Sequence, residues 1–475
     1  MIYNSFEFIW LFPIVFCVYY LITSWQKLTE LYPKIGNFIL ISISYALYIK
    51  IKPIYALILL WVTAVTFIAA KRIEKNKAYG KKKYLIWTGI VFAVFPLFIF
   101  KYYNFISSQL QIVLYFIGIH TELPGLNWTI PLGLSFFTIQ AVGYLIDVYL
   151  RRYKAENSWW DYMLFVSFFP QIASGPISKA RDLLPQIKAK RTFRYPQFVE
   201  GCRWLLWGMF LKVCVADRLG IIVDSVYNNY LYNDGTSLFI ASIFYSFQIY
   251  SDFAGYSYMA MGVGKIMGFD LVNNFCRPYL SLSVTDFWRR WHISLSTWLR
   301  DYIYIPLGGN RCSKIRNYFN IFVTFLVSGI WHGANWTYIF WGISHGIAQI
   351  LEKMLGLNKL ESKGLVKAFR VFSTFIIVDF AWVFFRMSTL KDAWNVLVRI
   401  ATMQTLNFGT FLSYKTFLIP LFLLILKDLI DEYKPQYNLF CNKLIVVRWG
   451  TYLFVMCYIL LFGVFNAGQF IYVKF

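Results

Sequence analysis

The sequence has few charged residues, and most of them carry the same sign. Only 15% of its 475 residues are Asp, Glu, Lys or Arg, whereas a soluble domain usually carries about 25%. The hydrophobic share is 59% and the mean hydropathy is +0.53. A chain this long and this apolar would precipitate in water, so the composition excludes an ordinary soluble protein and predicts an integral membrane protein.

Acidic residues are especially scarce. The chain has 23 Asp and Glu against 46 Lys and Arg, which gives a net charge of +23. In a soluble protein this charge would suggest nucleic-acid binding. Here the cations cluster in short loops between apolar segments, as orientation in a membrane requires, and no basic stripe stands clear of those segments. We therefore expect membrane lipids as partners and no nucleic acid.

Several recognisable site motifs are also missing. The seven cysteines form no CxxC pair and are interpreted as small apolar side chains, not as disulfides or zinc ligands. There is no HExxH, and MGVGKIMG at 261–268 lacks the first glycine and the Ser or Thr of a phosphate-binding loop. With four histidines and scattered cysteines, we expect no metal site and no bound cofactor.

Long apolar runs dominate what is present. The first run lacks the basic flank and cleavage site of a signal peptide, so it is interpreted as a membrane span. No recurrent ten-residue alternation indicates β-structure. The sequence predicts an all-α polytopic bundle, one domain over 1–475, with about eleven transmembrane helices plus re-entrant and interfacial helices. The apolar segments lie near residues 5–23, 36–50, 53–70, 84–100, 128–150, 158–176, 198–217, 237–262, 317–333, 335–351, 369–385, 416–430 and 446–466.

The distribution of cations predicts an orientation. Residues 71–83 hold seven Lys or Arg and should face the cytoplasm, so counting back three spans puts the N-terminus outside. The loop 121–127 has none and fits the outside, whereas the basic stretches 151–154 and 179–194 both require the inside. That conflict is resolved if the Pro- and Gly-containing segment 165–176 is re-entrant, entering and leaving by one face. We expect a multi-pass protein of the cytoplasmic (inner) cell membrane.

The stretch SGIWHGANWTYIFWG at 328–342 places His332 in an uncharged run. That run, from Asn317 to Leu351, has 35 residues, about 52 Å as a helix, which is too long for one upright helix across about 30 Å of hydrocarbon. We expect a break at Gly329 or from Gly333 to Asn335, within a protein or water-filled surround. A lone histidine on an apolar face is more often structural, but in such a cavity a neutral imidazole would be a good general base.

The segment 285–310 predicts one amphipathic helix at or just below the membrane surface. At about 100° per residue, its apolar residues share one face with His292, and its cations fall mainly on the other. The arginines could contact lipid phosphates or form a basic mouth for an anionic, phosphate-bearing donor. The apolar face comprises Trp288, Trp291, His292, Leu295, Trp298, Leu299 and Tyr302, and the arginines are Arg289, Arg290 and Arg300.

Several stretches together resemble the membrane-bound O-acyltransferase (MBOAT) family, in particular its alginate O-acetylation (AlgI-like) branch. The residues 250–346 form the most specific part. The matching stretches are IPLGLSFFTIQAVGYLIDVYLRR (130–152), FFPQIASGPISKARDLLPQ (168–186), YSDFAGYSYMAMGVGKIMGFDLVNNFCRPYLSLSVTDFWRRWHISLSTWLRDYIYIPLGGNR (250–311), FLVSGIWHGANWTYIFWGISHG (325–346) and the terminal FIYVKF (470–475).

The resemblance implies the MBOAT fold and an acyltransferase, most simply an O-acetyltransferase. It implies that His332 is catalytic and that His292 is its partner along a tunnel. It also implies a cytoplasmic donor, acetyl-CoA or another acyl thioester, and O-acylation of an extracytoplasmic polysaccharide through an SGNH-type (serine-esterase-like) partner outside. Trp331 and Asn335 could then shape the channel or stabilise the oxyanion, and the three arginines could steer the donor. One departure is Tyr258, where this branch often has Asp.

Three other interpretations remain open. The related D-alanyl transferase of teichoic acid synthesis shares the histidines. A transporter of polysaccharide or lipid-linked sugar would also need broken helices and polar groups in its interior, although the sequence has no visible internal repeat. A scaffold that recruits other exopolysaccharide proteins would not need His332. The sequence does not name the acceptor polymer.

Overall fold

The computed structural model describes residue 3 and residues 5–357, 360, 362–403 and 415–465. This part of the chain is predominantly helical and contains no strand, which confirms the all-α prediction; the terminal stretch 470–475 lies outside it. The helices are α1 (Phe6–Ser24), α2 (Gln26–Leu31), α3 (Ile35–Ile51), α4 (Pro53–Lys75), α5 (Tyr79–Leu97), π1 (Phe98–Tyr102), α6 (Tyr103–Phe116), α7 (Leu134–Tyr149), α8 (Trp159–Ser167), α9 (Phe169–Ile172), α10 (Ala180–Lys188), α11 (Tyr195–Phe210), π2 (Leu211–Ala216), α12 (Asp217–Tyr227), α13 (Gly235–Ile266), α14 (Val284–Arg290), α15 (Ile293–Leu299), π3 (Arg300–Tyr304), α16 (Lys314–His332), α17 (Trp336–Met354), α18 (Gly364–Arg386), α19 (Leu390–Ala401), α20 (Lys415–Tyr433) and α21 (Ile445–Phe462).

Several helices have the length and composition of membrane spans. Among the described residues, five are long and apolar enough to cross a bilayer: Glu7–Ser24, Pro53–Lys75, Tyr79–Phe116, Gly364–Arg386 and Ile445–Phe462. Helices α3 and α7 are also apolar but shorter. Other long helices, such as α13 and α16, bury polar side chains inside the bundle, which lowers their hydropathy. The figure of about eleven spans therefore stays a prediction, whereas the helical membrane fold is confirmed.

One end of the bundle, here called the basic end, collects the Lys- and Arg-rich segments. At this end Lys188 forms an ion pair with Glu156 at 2.6 Å. The backbone N–H of Ala155 donates to the Glu74 carboxylate at 3.1 Å. The segments 71–83, 151–158 and 179–194 therefore lie on one face, as the positive charges predict.

The N-terminus lies at the opposite end. Glu7 forms an ion pair with Lys50 at 2.8 Å, and Lys52 donates to the hydroxyl of Thr129 at 3.2 Å. The start of α1, the α3–α4 junction and the segment 117–133 thus share an end, which is called the opposite end below. This arrangement agrees with three crossings between the N-terminus and residues 71–83.

The predicted re-entrant segment is confirmed. The chain leaves the basic end through α8, turns at the short α9 and returns to the basic end at α10, as the Lys188–Glu156 ion pair requires. The turn packs against Gly133 at the start of α7. The φ of Gly133 is +71°, and a Cβ added there would lie 1.8 Å from the carbonyl oxygen of Ile172. Only glycine permits this contact, and it places the turn beside the first residues of α7.

The predicted break after His332 is also confirmed. Helix α16 ends at His332 and α17 begins at Trp336, with the Asn335 side chain accepting from the Thr337 N–H at 3.1 Å as the N-cap. The two helices then fold back against each other through glycines, because a Cβ on Gly329 would lie 2.5 Å from the Tyr338 carbonyl oxygen. Small residues allow such close backbone approach between membrane helices.

The prediction of one amphipathic helix over 285–310 is wrong. The helix breaks at His292, which has a left-handed backbone with φ +42°, and the segment continues as α15 and π3. Asn274 satisfies the broken backbone: its carbonyl accepts from the Ile293 N–H at 3.0 Å and its side-chain oxygen accepts from the Ser294 N–H at 3.2 Å. The predicted single apolar face is therefore divided, and His292 points into the bundle, where it is fully buried.

Buried ionic groups join the long helices. Lys212 in π2 donates to Asp217 at 2.8 Å and to Asp252 of α13 at 2.7 Å, and all three side chains are buried. Charges at membrane depth are expensive unless they are paired, so this triad fixes π2 against α13. It also provides a comparison for a second buried lysine described below.

Candidate active site

His332 lies at the broken end of α16 and is only 2% exposed. Its Nδ1 lies 2.7 Å from the carbonyl oxygen of Ser328. Since a carbonyl can only accept, the neutral ring carries its proton on Nδ1, and Nε2 becomes the basic nitrogen. Aromatic rings enclose the imidazole, with centroids at 4.9 Å for Trp331, 4.7 Å for Trp341 and 5.6 Å for Phe385.

His332 lines a narrow cavity, here called the chamber, of about 30 Å³. This volume is about that of one or two water molecules, so an acyl thioester requires the chamber to widen. The start of α7 and the re-entrant turn form its other walls. The lining residues are Lys101, Ile130, Pro131, Leu132, Gly133, Leu134, Ser135, Phe136, Ala173, Trp331 and His332.

A larger cavity, the vestibule, adjoins the chamber and measures about 650 Å³. Lys101 and Ile130 line both cavities, so the two meet there. Ile130 belongs to the 117–133 segment, which places the vestibule at the opposite end. Its walls are largely polar, and within them the Tyr230 hydroxyl donates to the Asp392 carboxylate at 2.7 Å. The other lining residues are Tyr227, Asn228, Gly333, Ala334, Asn335, Tyr338, Arg386, Met387 and Ser388.

A third cavity, the basic-end pocket, measures about 170 Å³ and lies near the C-terminal end of α7. Lys179 forms an ion pair with Asp301. Partial burial would raise the pKa of Asp301, but hydrogen bonds from Arg300 and Lys179 outweigh it and hold that pKa below its usual value. The other lining residues are Asp147, Arg152, Tyr153, Arg181 and Ile305, so cations outnumber carboxylates.

Helix α7 connects these cavities. Ser135 at its start lines the chamber, and Asp147 near its end lines the basic-end pocket. The two residues are separated by about 18 Å of helix. The chamber therefore lies between a cation-rich pocket at the basic end and a polar vestibule at the opposite end.

His292 lies behind the chamber wall. Its ring centroid is 4.6 Å from that of Phe253, 6.1 Å from that of Phe136 and 6.1 Å from that of Trp331. Neither ring nitrogen has a hydrogen-bond partner within the described part of the chain. Since Phe136 and Trp331 line the chamber, the structure brings both predicted histidines to the same wall.

The other predicted site residues divide into two groups. Trp331 lines the chamber and Asn335 lines the vestibule, where Asn335 also donates to the Ser388 carbonyl at 2.8 Å. The arginines line neither cavity. Arg290 is held by Asp286 at 3.2 Å and Glu432 at 3.0 Å, Arg300 is held by Asp301 at 2.8 Å, and Arg289 is exposed.

Sequence reasoning missed Lys101, Tyr102 and Ser135. Lys101 is 9% exposed and lies in π1, directly after the apolar segment that was expected to end at residue 100. A lysine at membrane depth is a signal of function, and it would have been found if the span had been continued into α6. The Tyr258 departure has a packing role, because its ring stacks on Trp204 at 5.1 Å.

Comparison with known proteins identifies the family. Residues 46–358 match the model of the MBOAT, membrane-bound O-acyltransferase family. The chain belongs to the MBOAT family. The probable alginate O-acetylase AlgI of Pseudomonas aeruginosa is 36% identical over 400 residues, covering 83% of this chain and 74% of the relative. The peptidoglycan O-acetyltransferase of Helicobacter pylori is 32% identical over 425 residues, covering 84% and 79%.

The MBOAT match makes the chain an O-acyltransferase and gives no support to the transporter and scaffold alternatives. The teichoic acid D-alanyltransferase of Streptococcus thermophilus is a more distant relative, 29% identical over 290 residues and covering 55% of this chain and 69% of the relative. The acetylating relatives thus resemble this MBOAT chain over a longer stretch.

Proposed function

We propose that the protein moves an acyl group, most simply acetyl, from a cytoplasmic thioester to an acceptor on the other side of the membrane for O-acylation of a polysaccharide. The observation that carries this proposal is the position of His332, in a chamber that lies between the basic-end pocket and the vestibule. With the basic end in the cytoplasm, as the positive-inside rule requires, the N-terminus and the vestibule are extracytoplasmic.

His332 is the general base of the proposed reaction. Its Nε2 takes the proton of the acceptor hydroxyl while the hydroxyl oxygen bonds to the thioester carbonyl carbon. The carbon–sulfur bond then breaks, and the departing thiolate recovers the proton from the imidazolium. The hydrogen bond to Ser328 fixes the tautomer that this step needs, and no covalent enzyme intermediate is required.

The donor enters at the basic-end pocket. Acetyl-CoA and carrier-protein thioesters both bear phosphate, which Arg152, Lys179 and Arg181 can bind. The pocket thus takes the place of Arg289, Arg290 and Arg300, which were expected to steer the donor. The thioester end would extend along α7 toward the chamber.

The immediate acceptor is the serine hydroxyl of an SGNH-type partner outside the membrane. The chamber is enclosed among helices, so it cannot admit a polysaccharide chain directly. The vestibule has polar walls and sufficient volume for a partner's hydroxyl-bearing segment. The D-alanyl alternative uses the same geometry with a different donor, and the more distant match supports it less.

The test is reconstitution of the purified protein in liposomes with acetyl-CoA inside. Polysaccharide is placed outside, with and without the SGNH-type partner. We expect thioester consumption and polymer acetylation only when both His332 and the partner are present, with His332→Ala slowing transfer by about 10²–10⁴-fold in a protein that still folds. Equal polymer acetylation without the partner refutes the relay, and full activity of His332→Ala refutes the general base.

A further inference from the structure

The end of α16 exposes backbone carbonyls inside the bundle. The last carbonyl groups of a helix have no donors within it, and an unsatisfied carbonyl at membrane depth is energetically costly. After His332 only the Gly333 N–H reaches back, and it meets Gly329 at a long 3.4 Å. The carbonyls of Ile330, Trp331 and His332 therefore need donors from elsewhere in the chain.

Two consecutive residues of π1 supply those donors. The Tyr102 hydroxyl donates to the Ile330 carbonyl at 2.8 Å. The Lys101 ammonium donates to the Trp331 carbonyl at 2.6 Å and to the His332 carbonyl at 3.0 Å. Thus π1 caps the end of α16, although the two segments are far apart in sequence. π-type segments are rare and often occur at functional sites.

Lys101 differs from the other lysine buried in a π segment. Lys212 is neutralised by two aspartates, whereas within the described residues no carboxylate pairs with Lys101. Its third hydrogen bond, at 3.4 Å, goes to the Ser135 hydroxyl in the chamber wall. A cation beside a helix C-terminus is favoured by the helix dipole. Lys101 therefore directs its N–H donors at the end of α16 and at the chamber wall, not at a carboxylate.

We propose that Lys101 is a positioning residue for acyl transfer. It fixes the end of α16, and thereby His332, at the junction of the chamber and the vestibule, both of which it lines. The proposal rests on the function proposed above, with His332 as the base. Lys101 acts through His332 and forms no bond to the acyl group.

The experiment measures CoA release from acetyl-CoA by purified variants in liposomes with the acceptor partner present. Lys101→Met removes the charge and the donors and should lower kcat by about 100-fold, the effect of a displacement of about 1 Å at a catalytic group, with little change in donor KM. Lys101→Arg keeps the charge and the donors and should recover much of the loss. Tyr102→Phe, which loses only the Ile330 contact, should lower kcat less. The control is Lys52→Met, whose lysine contacts Thr129 and lines neither the chamber nor the vestibule. It should leave the rate unchanged.

A double mutant separates positioning from a general structural role. If Lys101 acts through His332, Lys101→Met should cause no further loss in a His332→Ala protein. Multiplicative losses, or a raised KM at unchanged kcat, would overturn the proposal. If Lys101→Met does not fold, Lys101→Gln replaces it, and full activity of that variant also overturns the proposal. If His332→Ala is fully active, the proposed function itself is wrong. If His332→Ala is inactive but Lys101→Met is fully active, only the role inferred for Lys101 is wrong.

Discussion

Trp331 separates the two buried histidines, with its ring centroid 6.1 Å from that of His292 and 4.9 Å from that of His332. The histidines therefore share one aromatic wall without a hydrogen bond between them. His332 lines the chamber and His292 lies behind it. In the proposed reaction we therefore expect the two residues to have unequal roles.

His292→Ala should lower kcat less than His332→Ala does. Removing the base should cost about 10²–10⁴-fold, whereas removing His292 loosens the wall formed by Phe136 and Trp331. The measurement is kcat for thioester consumption by the two single mutants and the double mutant. If His292→Ala is as damaging as His332→Ala and the double mutant is no worse, the histidines act as one unit, and the unequal roles inferred here are wrong.

Arg181→Ala should raise the donor KM by about 10-fold at nearly unchanged kcat. The Arg181 side chain is 63% exposed beside the basic-end pocket and its nearest carboxylate, Asp182, lies 3.8 Å away, so it is available for a donor phosphate. A charge-assisted hydrogen bond contributes about 1.5 kcal/mol or more, which corresponds to that factor. Arg289→Ala, outside the pocket, is the matched control. If Arg289→Ala raises the donor KM more than Arg181→Ala does, the donor binds at the segment 285–310 and not at the basic-end pocket.

Cysteines placed at Gly80 and Gly125 should report the orientation. Gly80 has nothing within 4 Å of an added Cβ, and Gly125 has only the Asn104 side-chain oxygen at 3.9 Å, so both substitutions fit. With a membrane-impermeant thiol reagent on intact cells, Gly125→Cys should be labelled and Gly80→Cys should not. The unsubstituted chain gives the background from its own cysteines. The reverse pattern would invert the topology and the direction of transfer.

Gly333→Ala should destabilise the protein by about 1–3 kcal/mol, the usual cost of overpacking. The added Cβ would lie 2.0 Å from the Tyr338 ring, so the break after His332 cannot keep its shape. The midpoint temperature of thermal unfolding in detergent and the kcat should both fall. Gly450→Ala, with nothing within 4 Å, should leave both unchanged, and an equally stable Gly333→Ala would show that the break tolerates side chains.

Much of the fold follows from properties that the sequence displays directly. Apolar length, basic loops and the prolines of 165–176 predict the helical bundle, its two ends and the re-entrant turn. The uncharged run around His332 is too long for one helix, so its break was also predictable. These features depend on local composition and on the thickness of a bilayer.

The parts that sequence reasoning missed depend on contacts between distant segments. Periodicity gave a continuous helix through His292, because the polar groups of Asn274 that stabilise its interruption lie elsewhere in the chain. The same holds for Lys101, whose partners are backbone carbonyls more than two hundred residues away. Every residue has a backbone carbonyl, so no pattern of residue types could predict which carbonyls Lys101 contacts.

The order of the basic-end pocket, the chamber and the vestibule along α7 also bears on the energy source for acyl transfer. A charged donor can remain at the basic end and a hydroxyl acceptor can approach from the opposite end, so only the acyl group passes between them. An acetyl group carries no net charge, and the membrane potential does work only on charge, about 2.3 kcal/mol per elementary charge for 100 mV. In the proposed reaction, export of the acyl group is therefore driven by the thioester bond and should proceed at the same rate in de-energised membranes.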